Sequence, residues 1–118
     1  MKVCAIDDDL LMLQHLESML TEMGFEVVSA ADVKTAFRLM SEQPCDAALV
    51  DILMPDRDGL EFIIEARGVL PGLRIVAMSG GGRLGAASLL QTAAGLGADA
   101  TLIKPFSSSE LERALTAG

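Results

Sequence analysis

Ala47-Ala48-Leu49-Val50-Asp51-Ile52-Leu53-Met54-Pro55-Asp56-Arg57-Asp58-Gly59 is the stretch from which the rest of the chain is read. Its first four residues form a short apolar run, the pattern of a strand buried on both faces. The run stops on Asp51, and Pro55 and Gly59 then mark a loop. A carboxylate at this point is expected where the chain leaves a sheet, half out of the core. A lone Asp there is ordinary turn chemistry. It becomes a candidate for chemistry only if other strands bring suitable partners to the same edge.

Working outward, four more short apolar runs alternate with amphipathic stretches. The first strand is expected at Lys2–Ile6, followed by Asp7-Asp8-Asp9 and a helix from Leu10 to Met23 that buries Leu13, Leu16 and Leu20. Asp9 suits its N-cap and Gly24 its C-terminal stop. The second strand is expected at Phe25–Ala30, then a helix capped by Asp32 and running to about Glu42 with Val33, Ala36, Phe37 and Met40 inward. The third strand is Asp46–Val50, followed by a helix over Leu60–Leu70. Leu73–Met78 is the fourth strand, ending at Ser79, with a helix from about Ala86 to Leu96. Ala100–Ile103 is the fifth, ending at Lys104-Pro105. Ser107 then opens a last helix, with Glu110 placed to complete a capping box. Strand and helix alternating five times predict an α/β fold, a parallel sheet with helices on both faces and right-handed crossovers.

Composition narrows the class. The 118 residues are 51% hydrophobic and carry a net charge of -8. That length reads as one domain over 1–118, with enough apolar content for one core. The acidity argues against direct nucleic-acid binding, which needs a basic footprint. No apolar run approaches the roughly 18 residues that span a bilayer, and Met1-Lys2-Val3 enters a strand with no leader pattern. Cys4 and Cys45 are the only cysteines. Both lie in or beside apolar strands and read as reduced core residues, pointing to a cytoplasmic protein. His15, the only histidine, has no partner motif and reads as a surface helix residue.

In a parallel sheet, ligands bind beyond the carboxyl ends of the strands. Asp7 and Asp8, Asp51, Ser79 and Lys104 each follow one strand, so all five are expected at one edge. Three adjacent carboxylates repel one another unless a cation is near. With two or three protein ligands Mg²⁺ fits best, with Mn²⁺ as the alternative. A carboxylate can serve as nucleophile to phosphorus, and the phosphoryl oxygens then need a cation, a lysine and a hydroxyl donor. Asp8, Lys104 and Ser79 supply those types.

The motifs Ile6-Asp7-Asp8-Asp9, Val50-Asp51 through Gly59, Ala77-Met78-Ser79-Gly80 and Lys104-Pro105-Phe106 occur in the order and spacing of response-regulator receiver domains, and the chain resembles that family over essentially its whole length. The resemblance implies a flavodoxin-like (βα)5 doubly wound sandwich with strand order 2-1-3-4-5. It implies that Asp51 is the phosphoacceptor, and that Asp8, Asp51 and the backbone carbonyl of Leu53 ligate Mg²⁺, with Asp7 acting through water. Ser79 would hydrogen-bond the phosphoryl group and Lys104 would pair with it. The Lys104–Pro105 peptide is expected to be cis. The implied donor is a phosphohistidine on a sensor histidine kinase or histidine phosphotransfer protein. The implied output is a downstream protein or a second copy, meeting the face of the fourth strand, fourth helix, fifth strand and fifth helix. The domain would then be regulatory, catalysing only its own phosphoryl transfer and dephosphorylation.

Two positions depart from the family pattern. Thr101 stands where an aromatic residue is usual, three before the lysine, so coupling of the phosphate to the output face must differ. Leu53 is apolar at a position that governs access of water to the phosphate. Other readings fit less well. A haloacid-dehalogenase-like phosphatase needs a second Asp where Leu53 stands. A flavin binder needs a hydroxyl and glycine loop where Asp7-Asp8-Asp9 would repel a phosphate. A non-enzymatic adaptor with a vestigial pocket is the main alternative; Thr101 is its chief support, and the intact acidic pair, Asp51 and Lys104 oppose it. Gly80-Gly81-Gly82-Arg83-Leu84-Gly85 matches G-x-G-x-x-G, but it follows the fourth strand and no acidic residue closes the next one; it reads as a flexible loop. The helix after it carries Leu and Ala on more than one face and has two readings: a helix that simply packs well, or a partner or dimer surface formed with the fifth strand and fifth helix. The second predicts that Leu90→Glu weakens partner binding without unfolding the domain; loss of folding would show a core role.

Overall fold

The computed structural model describes residues 1–54, 59–80 and 85–117. Pro55–Asp58 of the loop after Asp51 and Gly81–Leu84 of the glycine-rich segment, with Arg83, lie outside the described residues. The element order is β1 (Lys2–Ile6), α1 (Leu10–Glu22), β2 (Glu26–Ala30), α2 (Val33–Glu42), β3 (Ala47–Asp51), α3 (Gly59–Val69), β4 (Arg74–Gly80), α4 (Ala86–Leu96), β5 (Ala100–Lys104) and α5 (Ser108–Thr116). All strand pairs are parallel, in the order β2-β1-β3-β4-β5. This is the expected flavodoxin-like arrangement.

The helices start where polar side chains satisfy their free amides. Asp9 Oδ1 accepts from the amides of Leu11 and Met12 at 3.0 and 3.3 Å. Asp32 Oδ1 accepts from Thr35 at 2.7 Å. Ser107 and Glu110 exchange both bonds of a capping box, each 3.0 Å. Gly24 follows α1 at φ +88°, a left-handed position that only glycine takes without strain.

Strand alternation divides the core in two. Cys4, Ile6, Ala48, Val50, Ile75 and Ala77 face α2, α3 and α4. Val3, Ala5, Ala47, Leu49, Val76 and Met78 face α1 and α5. Every residue of β3 is buried, so the central strand reads as an unbroken apolar run up to its last residue.

Two expectations are corrected, and a third is decided between its two readings. Asp51 is not half out of the core. It is the last paired residue of β3 and is 8% exposed. Ser79 lies inside β4, which continues to Gly80, and is fully buried. Leu90 is 5% exposed and packs in the core cluster under α4, so of the two readings of that helix the packing one holds at this position and the surface-contact one falls. Cys4 is buried and Cys45 half-buried, both as free thiols, and burial pushes the Cys4 thiol up to about 12, which keeps it protonated. His15 is exposed on α1. The Lys104–Pro105 peptide is cis. Among the described residues no helix is long and apolar enough to cross a membrane.

Candidate functional site

Register brings the site together. Ile6 pairs with Val50, so the next residues, Asp7 and Asp51, emerge side by side at the carboxyl edge. Asp51 in turn pairs with Met78, and the Ile52 amide donates to the Met78 carbonyl at 3.1 Å, so the sheet grips the chain on both sides of the acidic residue. Lys104 pairs with Gly80 on the edge strand, and its long side chain reaches back. By alternation Asp7, Asp51 and Lys104 share the α1/α5 face, and Ser79 the opposite one.

The Lys104 ammonium donates to Asp7 Oδ2 at 2.8 Å and to Asp51 Oδ2 at 3.0 Å. The remaining oxygens are held by backbone. Asp7 Oδ1 accepts from the Asp9 amide and Asp51 Oδ1 from the Leu53 amide, each at 2.9 Å. These charge-assisted bonds fix both carboxylates before any ligand arrives. Burial pushes the Asp7 carboxyl above the usual range and outweighs the opposing pull of Lys104 and the Asp9 amide. Burial also works against the charge of Lys104, but its hydrogen bonds to Asp7 and Asp51 prevail and hold it above the ordinary lysine value.

Asp7, Asp8 and Asp51 each offer an oxygen, and the three lie within 4.8 Å of one another. Asp8 is the exposed member, at the rim. An all-oxygen, largely anionic donor set with one open side fits a small hard divalent cation. The Ser79 hydroxyl is buried and has no hydrogen-bond partner. Leaving a buried hydroxyl unpaired costs about 1–3 kcal/mol, and this hydroxyl is free to donate. All five polar residues singled out in the sequence therefore converge on one edge.

Sequence reasoning did not find what supports them. The roles of the Asp9 and Leu53 amides are invisible in side-chain pattern. Nor did it find the seat of α3. The Gly59 amide donates to the Ile52 carbonyl at 3.0 Å, next to Asp51. A glycine ending a loop just before an apolar helical stretch was the available signal. Thr101 is exposed on β5, beside Ile103, which is 50% exposed. Both border a groove of about 470 Å³ against Ala87, Gln91 and Ala94 of α4.

Comparison with known proteins agrees. Residues 3–116 match the family described as response regulator receiver domain. The probable chemotaxis protein CheY of Rhizobium etli is 33% identical over 98% of this chain and 90% of its own. The transcriptional regulatory protein PrrA of Mycobacterium tuberculosis is 36% identical over 93% of this chain but only 46% of its own. The chain likewise spans about half the length of several other curated regulators. Among solved structures, chemotaxis protein CheY4 of Vibrio cholerae superposes with a TM-score of 0.85 at 28% identity, over 97% of this chain and 94% of that one. With its sheet order, its acidic edge and this similarity along nearly its full length, the chain belongs to the response regulator receiver domain family.

Proposed function

We propose that Asp51 is the phosphoacceptor of a two-component phosphorelay, working as a single domain over 1–118 in the cytoplasm. The observation that carries this reading is the pairing of a buried, pre-held Asp51 with a lysine on one side and an unpartnered buried hydroxyl, Ser79, on the other. An Asp51 oxygen attacks phosphorus as the P–N bond to a donor histidine breaks, and the imidazole leaves with that electron pair. The donor is a sensor histidine kinase or a histidine phosphotransfer protein.

Asp8, Asp51 and the Leu53 carbonyl, with Asp7 behind them, would hold Mg²⁺, or Mn²⁺, which neutralises phosphoryl charge as it develops. The chain's own part is positional. The Leu53 amide fixes the direction of the Asp51 carboxylate. Lys104 shifts from pairing a carboxylate to pairing the phosphoryl group, and Ser79 donates its hydroxyl to another phosphoryl oxygen. The product carries about 0.5–1 more negative charge than Asp51 did. Its contacts bias an equilibrium read by a downstream protein, or by a second copy, at the face of α4, β5 and α5. The chain is regulatory; the transfer to Asp51 and its reversal by water are its own chemistry. The -8 net charge supports no direct contact with nucleic acid.

Incubation with acetyl phosphate, with and without Mg²⁺, beside Asp51→Asn, tests this by intact mass. One phosphate adduct that needs both Mg²⁺ and Asp51 is expected. A folded wild type that takes up neither phosphate nor metal would sink the reading and leave an adaptor with a vestigial pocket.

A further inference from the structure

Gly59, the first residue of α3, does not need the conformational freedom of glycine; among the described residues the positive-φ glycines are Gly24, Gly85 and Gly97. What it needs is space. A Cβ at position 59 would stand 2.5 Å from the Asp51 carbonyl oxygen, 2.5 Å from Ile52 Cα and 3.0 Å from the Asp51 carbonyl carbon. All three are backbone atoms of a strand end that is itself paired to β4, so none can rotate aside. Gly68, in the same helix, has nothing within 4 Å of such a Cβ.

The consequence is local to the site. The start of α3 is seated against the peptide joining Asp51 to Ile52, and the Gly59 amide fastens it to the Ile52 carbonyl at 3.0 Å. The residue after Ile52 supplies the amide that holds Asp51 Oδ1. Any side chain at 59 must lift α3 or displace the Asp51–Ile52 peptide.

We propose that Gly59 is a positioning residue for the phosphoacceptor: by its bare backbone it sets where Asp51 and the Leu53 carbonyl stand relative to Asp7 and Asp8. This rests on Asp51 being the acceptor. A displacement of about 1 Å at reacting atoms lowers rates on the order of 100-fold, so small backbone shifts suffice.

The test compares wild type, Gly59→Ala and Gly68→Ala. Thermal unfolding checks that each is folded. Calorimetric titration gives the Mg²⁺ midpoint, and intact mass gives the rate of phosphate uptake from acetyl phosphate at saturating Mg²⁺, below the melting range of all three. Expected is a folded Gly59→Ala with uptake lowered roughly 10- to 100-fold and a weakened Mg²⁺ midpoint, while Gly68→Ala matches wild type. Lost stability alone would leave midpoint and rate in place. Wild-type midpoint and rate in folded Gly59→Ala would overturn the inference and leave the acceptor reading standing. So would a Gly59→Ala that does not fold, because the glycine would then serve the whole fold. A wild type that takes up no phosphate would remove the acceptor reading, and this inference with it.

Discussion

Lys104 Nζ lies 3.0 Å from Asp51 Oδ2 and also donates to Asp7 Oδ2, so one ammonium spans the two buried carboxylates on which a cation would also draw. The same two carboxylates would then answer to two cations, one covalently attached and one from solution. Removing the attached one leaves two buried anions unpaired, at a cost of about 1–3 kcal/mol after allowing for the partial exposure of Lys104. We expect Lys104→Met to melt at a lower temperature than wild type without metal, and to regain more than wild type when Mg²⁺ is added. Thermal unfolding with and without saturating Mg²⁺ measures this. Equal Mg²⁺-induced shifts in both proteins would mean that lysine and metal do not share these carboxylates.

Asp7 carries a cost of its own. Its carboxyl is raised above the usual value by burial, so the folded chain holds that proton more tightly than the unfolded chain does. For such a group stability falls as pH rises through the window from the unfolded value to the folded one, and the penalty then stays constant above it. Protonated Asp and Asn have nearly the same shape. Asp7→Asn is therefore expected to match wild type in mild acid and to be the more stable protein near pH 7.5, in the absence of metal. Its Mg²⁺ midpoint should weaken at the same time. Melting curves of both proteins at pH 4 and pH 7.5 decide it; a difference that does not grow with pH would show that Lys104 fully offsets the burial of Asp7.

The sheet was legible because its signals are local. Buried parallel strands are apolar throughout, and four of the five runs here stop on or just before a polar residue, Asp7, Asp51, Ser79 or Lys104; β2 alone among them ends on Ala30. The same interruption that marks the strand end also marks the site. Burial was harder to read. Asp51 and Ser79 were expected at a boundary, but β3 pairs through Asp51, with the Ile52 amide bonded to the Met78 carbonyl just beyond it, and β4 continues to Gly80 opposite Lys104, so both side chains lie inside. Long-range polar ties left no trace in the pattern. Asp99 Oδ2 accepts from Arg67 at 2.9 Å and from the Ile75 amide at 2.8 Å, joining α3, β4 and the turn before β5, yet neither residue stands out in a one-dimensional reading. Close approach of backbone to backbone, as at Gly59, is likewise a property of the assembled fold.

The face of α4 shows where periodicity left two readings open, and it yields a test. Leu and Ala occur around the whole helix, so spacing alone does not separate core from surface. In the fold Ala86, Leu90 and Ala93 are buried, whereas Ala87, Gln91 and Ala94 are exposed along the groove beside Thr101. Leu90 is enclosed by core side chains, and truncating such a residue costs about 2–5 kcal/mol; a carboxylate there adds an unpaired buried charge. Leu90→Glu is therefore expected to unfold the domain rather than to disturb a partner selectively. Gln91→Glu changes an exposed polar position and should alter stability by no more than about 0.5 kcal/mol. If a partner docks on this face, Gln91→Glu and Ala94→Glu weaken its binding while circular dichroism, melting temperature and phosphate uptake stay at wild-type values. Chemical unfolding of the three variants, followed by a binding assay on those that fold, separates the two roles. A stable, folded Leu90→Glu would show that α4 is held by its other contacts and return Leu90 to the surface.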